Sequence, residues 1–397
     1  MSDPAPDGAE PDTSAPKRRG KVRKRHTIGK IVLATVLVMA MATGLGTIWL
    51  YRHLNGNLNV VDVTGQLTNR PDKMEVEGPQ EPLNVLVMGS DSRDCEGCNI
   101  DNLTGGGQRS DTTILFHLSA DRERAYGISI PRDLIVDRPD CVDEDGTTIA
   151  GADGVMWNEA FSVGGPACTI QQVEQLTGIP MDHYVVVDFE GFKGMVDAIG
   201  GVEVCIPEPI VDPAHGINIE AGTRKIKGAE ALNYVRERYV VGNGSDIGRM
   251  KRQQAFIASM AHQVVTAGTL ARPDHLVGFL NAATKSLTVD DGLGSIVKLA
   301  QLGGQFQGIG LDNIQFLTIP NIPDPSDPNR LVWKQPEAKN VWDKIAHDEP
   351  LTKKLSEDVI SAGNVPGSSS SSGSGNGNGG SSNEADKQAL ADAGLCT

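Results

Sequence analysis

Leu83-Asn84-Val85-Leu86-Val87-Met88 runs into Gly89-Ser90-Asp91-Ser92-Arg93, and beyond a Gly- and Asn-rich stretch Arg109-Ser110-Asp111-Thr112 opens a second apolar run that ends at Leu118. Both runs are short and bounded by turn residues, which predicts strands rather than helices. Ser119-Ala120-Asp121-Arg122 fits a turn, and Arg124 to Ile130 a third strand, so these elements read as a hairpin. Downstream, Ala167–Thr177 carries Ile170, Val173 and Leu176 at helical spacing, and His183–Phe189 is a strand. Glu190–Ile199 is a short amphipathic helix stopped by Gly200-Gly201, and Val202–Ile206 is another strand. Lys227–Val235 and Ser245 to about Ala267 read as helices, with more near 273–285 and 291–303, and Ile314–Ile319 is a late strand. Strands and helices alternate through one continuous stretch. The expected class is α/β, a single layered domain with a central mixed β-sheet flanked by helices.

The ends of the chain differ from this middle. Residues 1–30 read as a polar, basic, disordered tail, with eight Lys/Arg against four Asp/Glu. Ile31 to Leu50 holds no charged residue, and ~20 apolar residues suffice for a helix to cross a bilayer core. A cleaved signal has a shorter apolar region ending in small residues. Trp49, Leu50 and Tyr51 suit an interfacial anchor instead, so a single transmembrane helix is expected over 31–50. The basic end should stay cytoplasmic and the rest lie outside, a single-pass cell-membrane protein. Residues 51–82 are expected as a stalk, 83–362 as the folded extracytoplasmic domain, and 363–397 as a Gly/Ser/Asn-rich linker with a tail too short to fold alone.

Net charge is −15 overall and +4 over residues 1–30, leaving −19 on residues 31–397. An acidic body argues against nucleic acid as a partner, and any anion site must be a local basic cluster. All six cysteines follow the apolar segment, where disulfides form. Cys95 with Cys98 and Cys141 with Cys168 are the expected pairs, with Cys205 a buried free thiol. Cys95-x-x-Cys98 also resembles a zinc or redox motif, but no second Cys or His pair accompanies it.

Five short constellations could carry chemistry. Asp91 and Asp111 end and begin neighbouring strands, so together they could hold a hard divalent cation, Mg²⁺ above all. Each is also a common turn residue. Ser129-Ile130-Pro131-Arg132-Asp133 leaves Arg132 at a strand end, because Pro131 lacks an N–H. Val235-Arg236-Glu237-Arg238-Tyr239, if extended, projects Arg236 and Arg238 to one face, a planar fork matched to phosphate oxygens. Ser245 is a plausible cap for a helix that carries Asp246, Arg249 and Gln253 on one side, with Arg252 close by. Charged helical faces are usually only wet. The basic density inside an acidic body is what favours function.

These segments, with Asn158-Glu159-Ala160-Phe161, Gly164-Gly165, Asp182-His183-Tyr184, Asp188-Phe189 and Gly200-Gly201-Val202-Glu203-Val204, keep the order and spacing of the LytR–CpsA–Psr family over about residues 83–265. The chain resembles that family of phosphoglycan transferases. The resemblance implies transfer of a glycopolymer phosphate from a polyprenyl-pyrophosphate donor to a peptidoglycan acceptor at the cell membrane. It implies Mg²⁺ (or Mn²⁺) at Asp91 and Asp111, catalytic roles for Asp91 and Arg132, and pyrophosphate binding by Arg93, Arg132, Arg236, Arg238, Arg249 and Gln253. An apolar tunnel would take the polyprenyl chain. Met156 stands where the family often has Lys, two residues before Asn158, which removes one phosphate contact. Two rival readings use the same residues: a lipid-pyrophosphate (pyro)phosphatase, and a non-catalytic wall-polymer-binding or regulatory protein.

Overall fold

Alternation along Ser110–Leu118 places Thr112, Ile114 and Phe116 on one face and Thr113 and Leu115 on the other. Both faces are apolar, as a strand covered on both sides requires. The computed structural model describes residues 25–90, 110–266, 273–356, 359–367 and 384–396. Eight strands make the central sheet: β1 Asn59–Val60, β2 Leu83–Ser90, β3 Ser110–Leu118, β4 Ala125–Ile130, β5 His183–Asp188, β6 Leu287–Val289, β7 Ile314–Thr318 and β8 Ile360–Ser361. Their spatial order is β1-β6-β5-β2-β3-β4-β7-β8. The β2–β3 and β3–β4 pairs are antiparallel, as the hairpin reading expects, while β2–β5 and β4–β7 are parallel. The sheet is therefore mixed.

The described helices are α1 Arg25–Asn57, α2 Glu159–Thr177, α3 Phe189–Ala198, α4 Gly228–Arg236, α5 Asp246–Thr266, α6 Pro273–Ser286, α7 Ile296–Ile309, α8 Glu337–Ala346 and α9 Glu384–Asp392. One sheet face, carrying Leu86, Met88, Leu115, Ile128 and Val186, packs on Phe161, Ile170 and Val173 of α2 and on Val341 and Trp342 of α8. Opposite them, residues of β2, β3 and β5 meet α3, α4 and α5 around a cavity. Within α1, Ile28–Asn57 is apolar enough to cross a membrane by length and composition, with mean hydropathy 2.2.

Three expectations change. Residues 58–82 are not a stalk. β1 joins the sheet edge beside β6, Val63 is buried in the core, and Arg70 holds the fully buried Glu174 at 2.5 Å and the Met181 carbonyl at 2.6 Å. Cys205 is not a free thiol but bonds to Cys396, 191 residues away, whereas Cys141 and Cys168 pair as expected. A closure of that length contributes on the order of 5 kcal/mol in the chain-entropy account. The C-terminal segment, too short to fold by itself, forms α9 and buries Ala393 and Leu395 against the domain. Cys95 and Cys98 lie outside the described residues.

Candidate functional site

The site begins with an irregularity in β3. Gly89 pairs with Thr112 but Ser90 pairs with Ser110, so Asp111 is the extra residue of a bulge at the strand's start. Bulges re-aim side chains, and here Asp111 and Thr112 both line the cavity. Arg132 follows the end of β4, the neighbouring strand, and its Nη1 donates to Asp111 Oδ1 at 2.8 Å. Arg236 is the last residue of α4. Its guanidinium carbon lies 4.6 Å above the Phe189 ring. The extended pairing expected for Arg236 and Arg238 does not occur. The helix stops at Glu237, and Glu237 Oε1 accepts from the backbone N–H groups of Arg238, Tyr239 and Val240. Arg238 is thus delivered by a turn capped from within, and its guanidinium donates to Tyr239 Oη at 2.8 Å.

α5 supplies the rest. Ser245 Oγ accepts from Gly248 N at 3.1 Å, the cap expected there. Asp246 accepts from Arg249 Nη2 at 2.9 Å, while its Oδ1 lies 3.5 Å from Arg132 and 3.6 Å from Arg238. That Oδ1 is buried and takes no hydrogen bond. Gln253 is positioned from both ends, its Oε1 accepting from Thr112 Oγ1 and its amide donating to the Val235 carbonyl. Four guanidiniums from three separate segments, those of Arg132, Arg236, Arg238 and Arg249, therefore line one cavity with Asp111, Asp246 and Gln253.

Electrostatics separate the roles. Burial pushes the Asp111 carboxyl up, but Arg132, Arg249 and Arg236 outweigh it and hold the group below the usual carboxylate range. Asp111 stays ionised through neutral pH. Burial pulls Arg249 down, and Arg132 and Arg238 push the same way against Asp246 and Asp111. Burial and the neighbouring cations outweigh its pairing with Asp246, so a further anion placed beside it is favoured. Asp111 also fits a hard divalent cation: it offers ionised oxygen in a cavity that can admit phosphate oxygens. Its expected partner Asp91, and Arg93, lie outside the described residues.

The cavity measures about 1280 Å³, beyond the ~300–1,000 Å³ usual for small ligands. Its character changes along its length. Thr112, Ile114 and Phe116 share one face of β3 and span ~13 Å, so the floor passes from polar to aliphatic to aromatic. On α5, Arg249 and Gln253 give way to Phe256, Ile257 and Met260 over ~16 Å in the same direction. Phe189, Phe192 and Met195 of α3 line the apolar part.

The LytR_cpsA_psr family model matches residues 50–347. The chain belongs to the LytR_cpsA_psr family. It is 30% identical over 323 residues to the cell wall biosynthesis protein LcpA of Corynebacterium glutamicum, covering 74% of this chain and 60% of LcpA. It is 27% identical over 342 residues to the polyisoprenyl-teichoic acid–peptidoglycan teichoic acid transferase TagV of Bacillus subtilis, covering 84% of this chain and 79% of TagV. The crystal structure of TagV superposes with a TM-score of 0.51 at 25% identity, over 68% of this chain and 99% of that one. In this LytR_cpsA_psr chain some cavity-lining residues gave no signal in sequence, Arg330 among them. Arg330 donates to Asp133 Oδ1 at 3.2 Å from a loop whose Asp, Pro and Asn content reads only as turn. Tyr239, which the sequence groups with Arg236 and Arg238, lines the cavity beside them and is 65% exposed. Met156 lines the same cavity.

Proposed function

We propose that this protein moves a glycopolymer phosphate from a polyprenyl-pyrophosphate carrier onto peptidoglycan at the membrane surface. One observation carries the reading: a single long cavity has clustered guanidiniums at one end and aromatic and aliphatic walls beyond. An amphiphile with an anionic head and a long hydrocarbon tail matches both ends. LcpA's role in cell wall biosynthesis and TagV's name as a teichoic acid transferase agree with it.

In this account Arg236, Arg238 and Arg249, with Arg93, grip the diphosphate, and Gln253 orients it by a neutral hydrogen bond. Guanidinium presents paired donors to phosphate oxygens, so several together fix position as well as charge. Arg132 sits between Asp111 and Asp246 and faces the phosphorus under attack, where negative charge grows. The acceptor hydroxyl forms a new P–O bond to the glycan-side phosphorus. The bond from that phosphorus to the bridging oxygen breaks, and polyprenyl phosphate leaves. Asp91 takes the hydroxyl proton or shares with Asp111 the binding of Mg²⁺ (or Mn²⁺). Bound there, the cation would neutralise charge on the phosphate oxygens. α1 anchors the chain with its basic end in the cytoplasm, so that the catalytic domain meets a bilayer-confined donor at high effective concentration.

Reconstitution tests this. Full-length protein in detergent is given a lipid-pyrophosphate glycan, uncrosslinked peptidoglycan and Mg²⁺ or a chelator. The expected products are polyprenyl phosphate and a new phosphodiester on peptidoglycan, both lost on chelation. Release of glycan phosphate that is indifferent to acceptor would assign the site to hydrolysis, and binding without release would assign it to a carrier or regulatory role.

A further inference from the structure

The end of the chain lies against the loop that presents Arg238. The Asp392 carbonyl accepts from Asn243 N at 2.9 Å. Arg252 lies one residue before Gln253 on α5, yet it turns away from the cavity and is 1% exposed. Its Nη1 donates to the Ala393 carbonyl at 2.9 Å, and its Nη2 donates to the Glu237 carbonyl. A buried cation persists only where hydrogen bonds satisfy it. Two acceptors of this one are backbone carbonyls, one on each side of the junction between loop and tail.

Sequence at the junction is fitted to the contact. Gly242 has φ +58°, and a side chain there would strike the Asp392 carbonyl. Gly394 has φ +68°, and a side chain there would strike Val241. Ala393 and Leu395 are buried among Ala255, Ala258 and Phe316, and Cys396 is bonded to Cys205. Tyr239 and Val240 are 65% and 46% exposed, with the Tyr239 ring stacked on His215, and Val241 after them is buried in the core. The loop's conformation is held by Glu237 from within, by Val241 in the core, and by Arg252 and the tail from beneath.

We infer that Arg252 is a positioning residue. Through the Glu237 and Ala393 carbonyls it couples docking of residues 384–396 to the conformation of the loop bearing Arg238, and so to the site's affinity for diphosphate. The inference rests on reading the polar end of the cavity as a diphosphate site. The tail, though it contributes no residue to the cavity lining, then sets how well the site binds.

The test uses the full chain, a chain ending at Gly367, and the variants Arg252→Met, Arg252→Lys and Leu395→Ala. Amide hydrogen exchange is followed at 238–245 and at Leu86, Leu115 and Ile128 of the sheet, and affinity for inorganic pyrophosphate is titrated. The shortened chain and Arg252→Met should speed exchange at 238–245 about tenfold or more while the sheet amides stay protected. Pyrophosphate should bind those two roughly tenfold more weakly, with Arg252→Lys recovering part of the loss. Leu395→Ala, which only trims the tail's contact, should show the same pattern to a smaller degree if the harsher variants fail to fold. Unchanged loop exchange after loss of the tail would overturn the inference. So would equal loss of protection in loop and sheet, which would make the tail a general brace. Failure of the wild-type chain to bind pyrophosphate would instead overturn the diphosphate reading, and the exchange comparison would still decide the coupling.

Discussion

Changing Arg236 and Arg238 together to alanine should cut kcat/KM for lipid-pyrophosphate turnover by roughly 10²–10⁴ while leaving the fold intact. A hydrogen bond to a charged group contributes about 1.5–3 kcal/mol, so two lost guanidiniums correspond to about 3–6 kcal/mol of transition-state stabilisation. Neither residue supports the core. Arg236 lies over Phe189 at the cavity wall, and the Arg238 side chain is 32% exposed. Their removal relieves repulsion between Arg238 and Arg249 but also removes attraction to Asp246 and Asp111, so the melting temperature should change little. The measurement is release of polyprenyl phosphate against donor concentration, with a melting curve for each variant. Undiminished turnover in a folded double variant would remove these residues from the site.

Ile114→Trp should act at the other end. Ile114 lies on β3 between Thr112 and Phe116 and lines the cavity where it turns apolar. An indole there fills space that a hydrocarbon tail would occupy. Burial of one CH₂ contributes about 0.8 kcal/mol, so displacing one five-carbon isoprene unit costs up to about 4 kcal/mol, a roughly 10²–10³-fold loss. Long-tailed donors should lose that much affinity, whereas inorganic pyrophosphate should bind as before because the guanidinium end is untouched. Titrating both ligands into both proteins distinguishes the outcomes. Equal weakening of the two would mean that the substitution distorts the whole cavity, and no weakening would mean that the tail lies elsewhere.

The local pattern made much of this legible. β2, β3, β4 and β5, α3 and α5, and the Ser245 cap follow from apolar runs, alternation and turn residues, all of which depend on neighbours in sequence. Asp111 was a candidate as a carboxylate at a strand start, and Arg132, Arg236, Arg238, Arg249 and Gln253 were candidates through local basic density and the family resemblance; they do meet in one cavity. What stayed hidden is long-range. The Cys205–Cys396 pairing spans 191 residues, including a Gly/Ser run that carries no register. The packing of 58–82 depends on a salt bridge to Glu174, a residue with no reason in sequence to be fully buried. Arg252 shares the helical periodicity of Arg249 and Gln253, and only the tertiary position of the chain terminus explains why it is buried. The stretch 320–346 carried no expectation, although Ala338, Val341, Trp342 and Ile345 recur at helical spacing and become the buried face of α8.

The most direct measurement of the central claim is a crystal structure of this chain with a non-hydrolysable polyprenyl-pyrophosphate analogue. The account predicts the diphosphate within hydrogen-bond distance of Arg132, Arg236, Arg238 and Arg249, with the hydrocarbon lying between the sheet face at Ile114 and Phe116 and the side chains of Phe192, Phe256 and Met260. A lipid seated outside this cavity, with the four guanidiniums still in their present contacts with Asp111, Asp246, Phe189 and Tyr239, would contradict it.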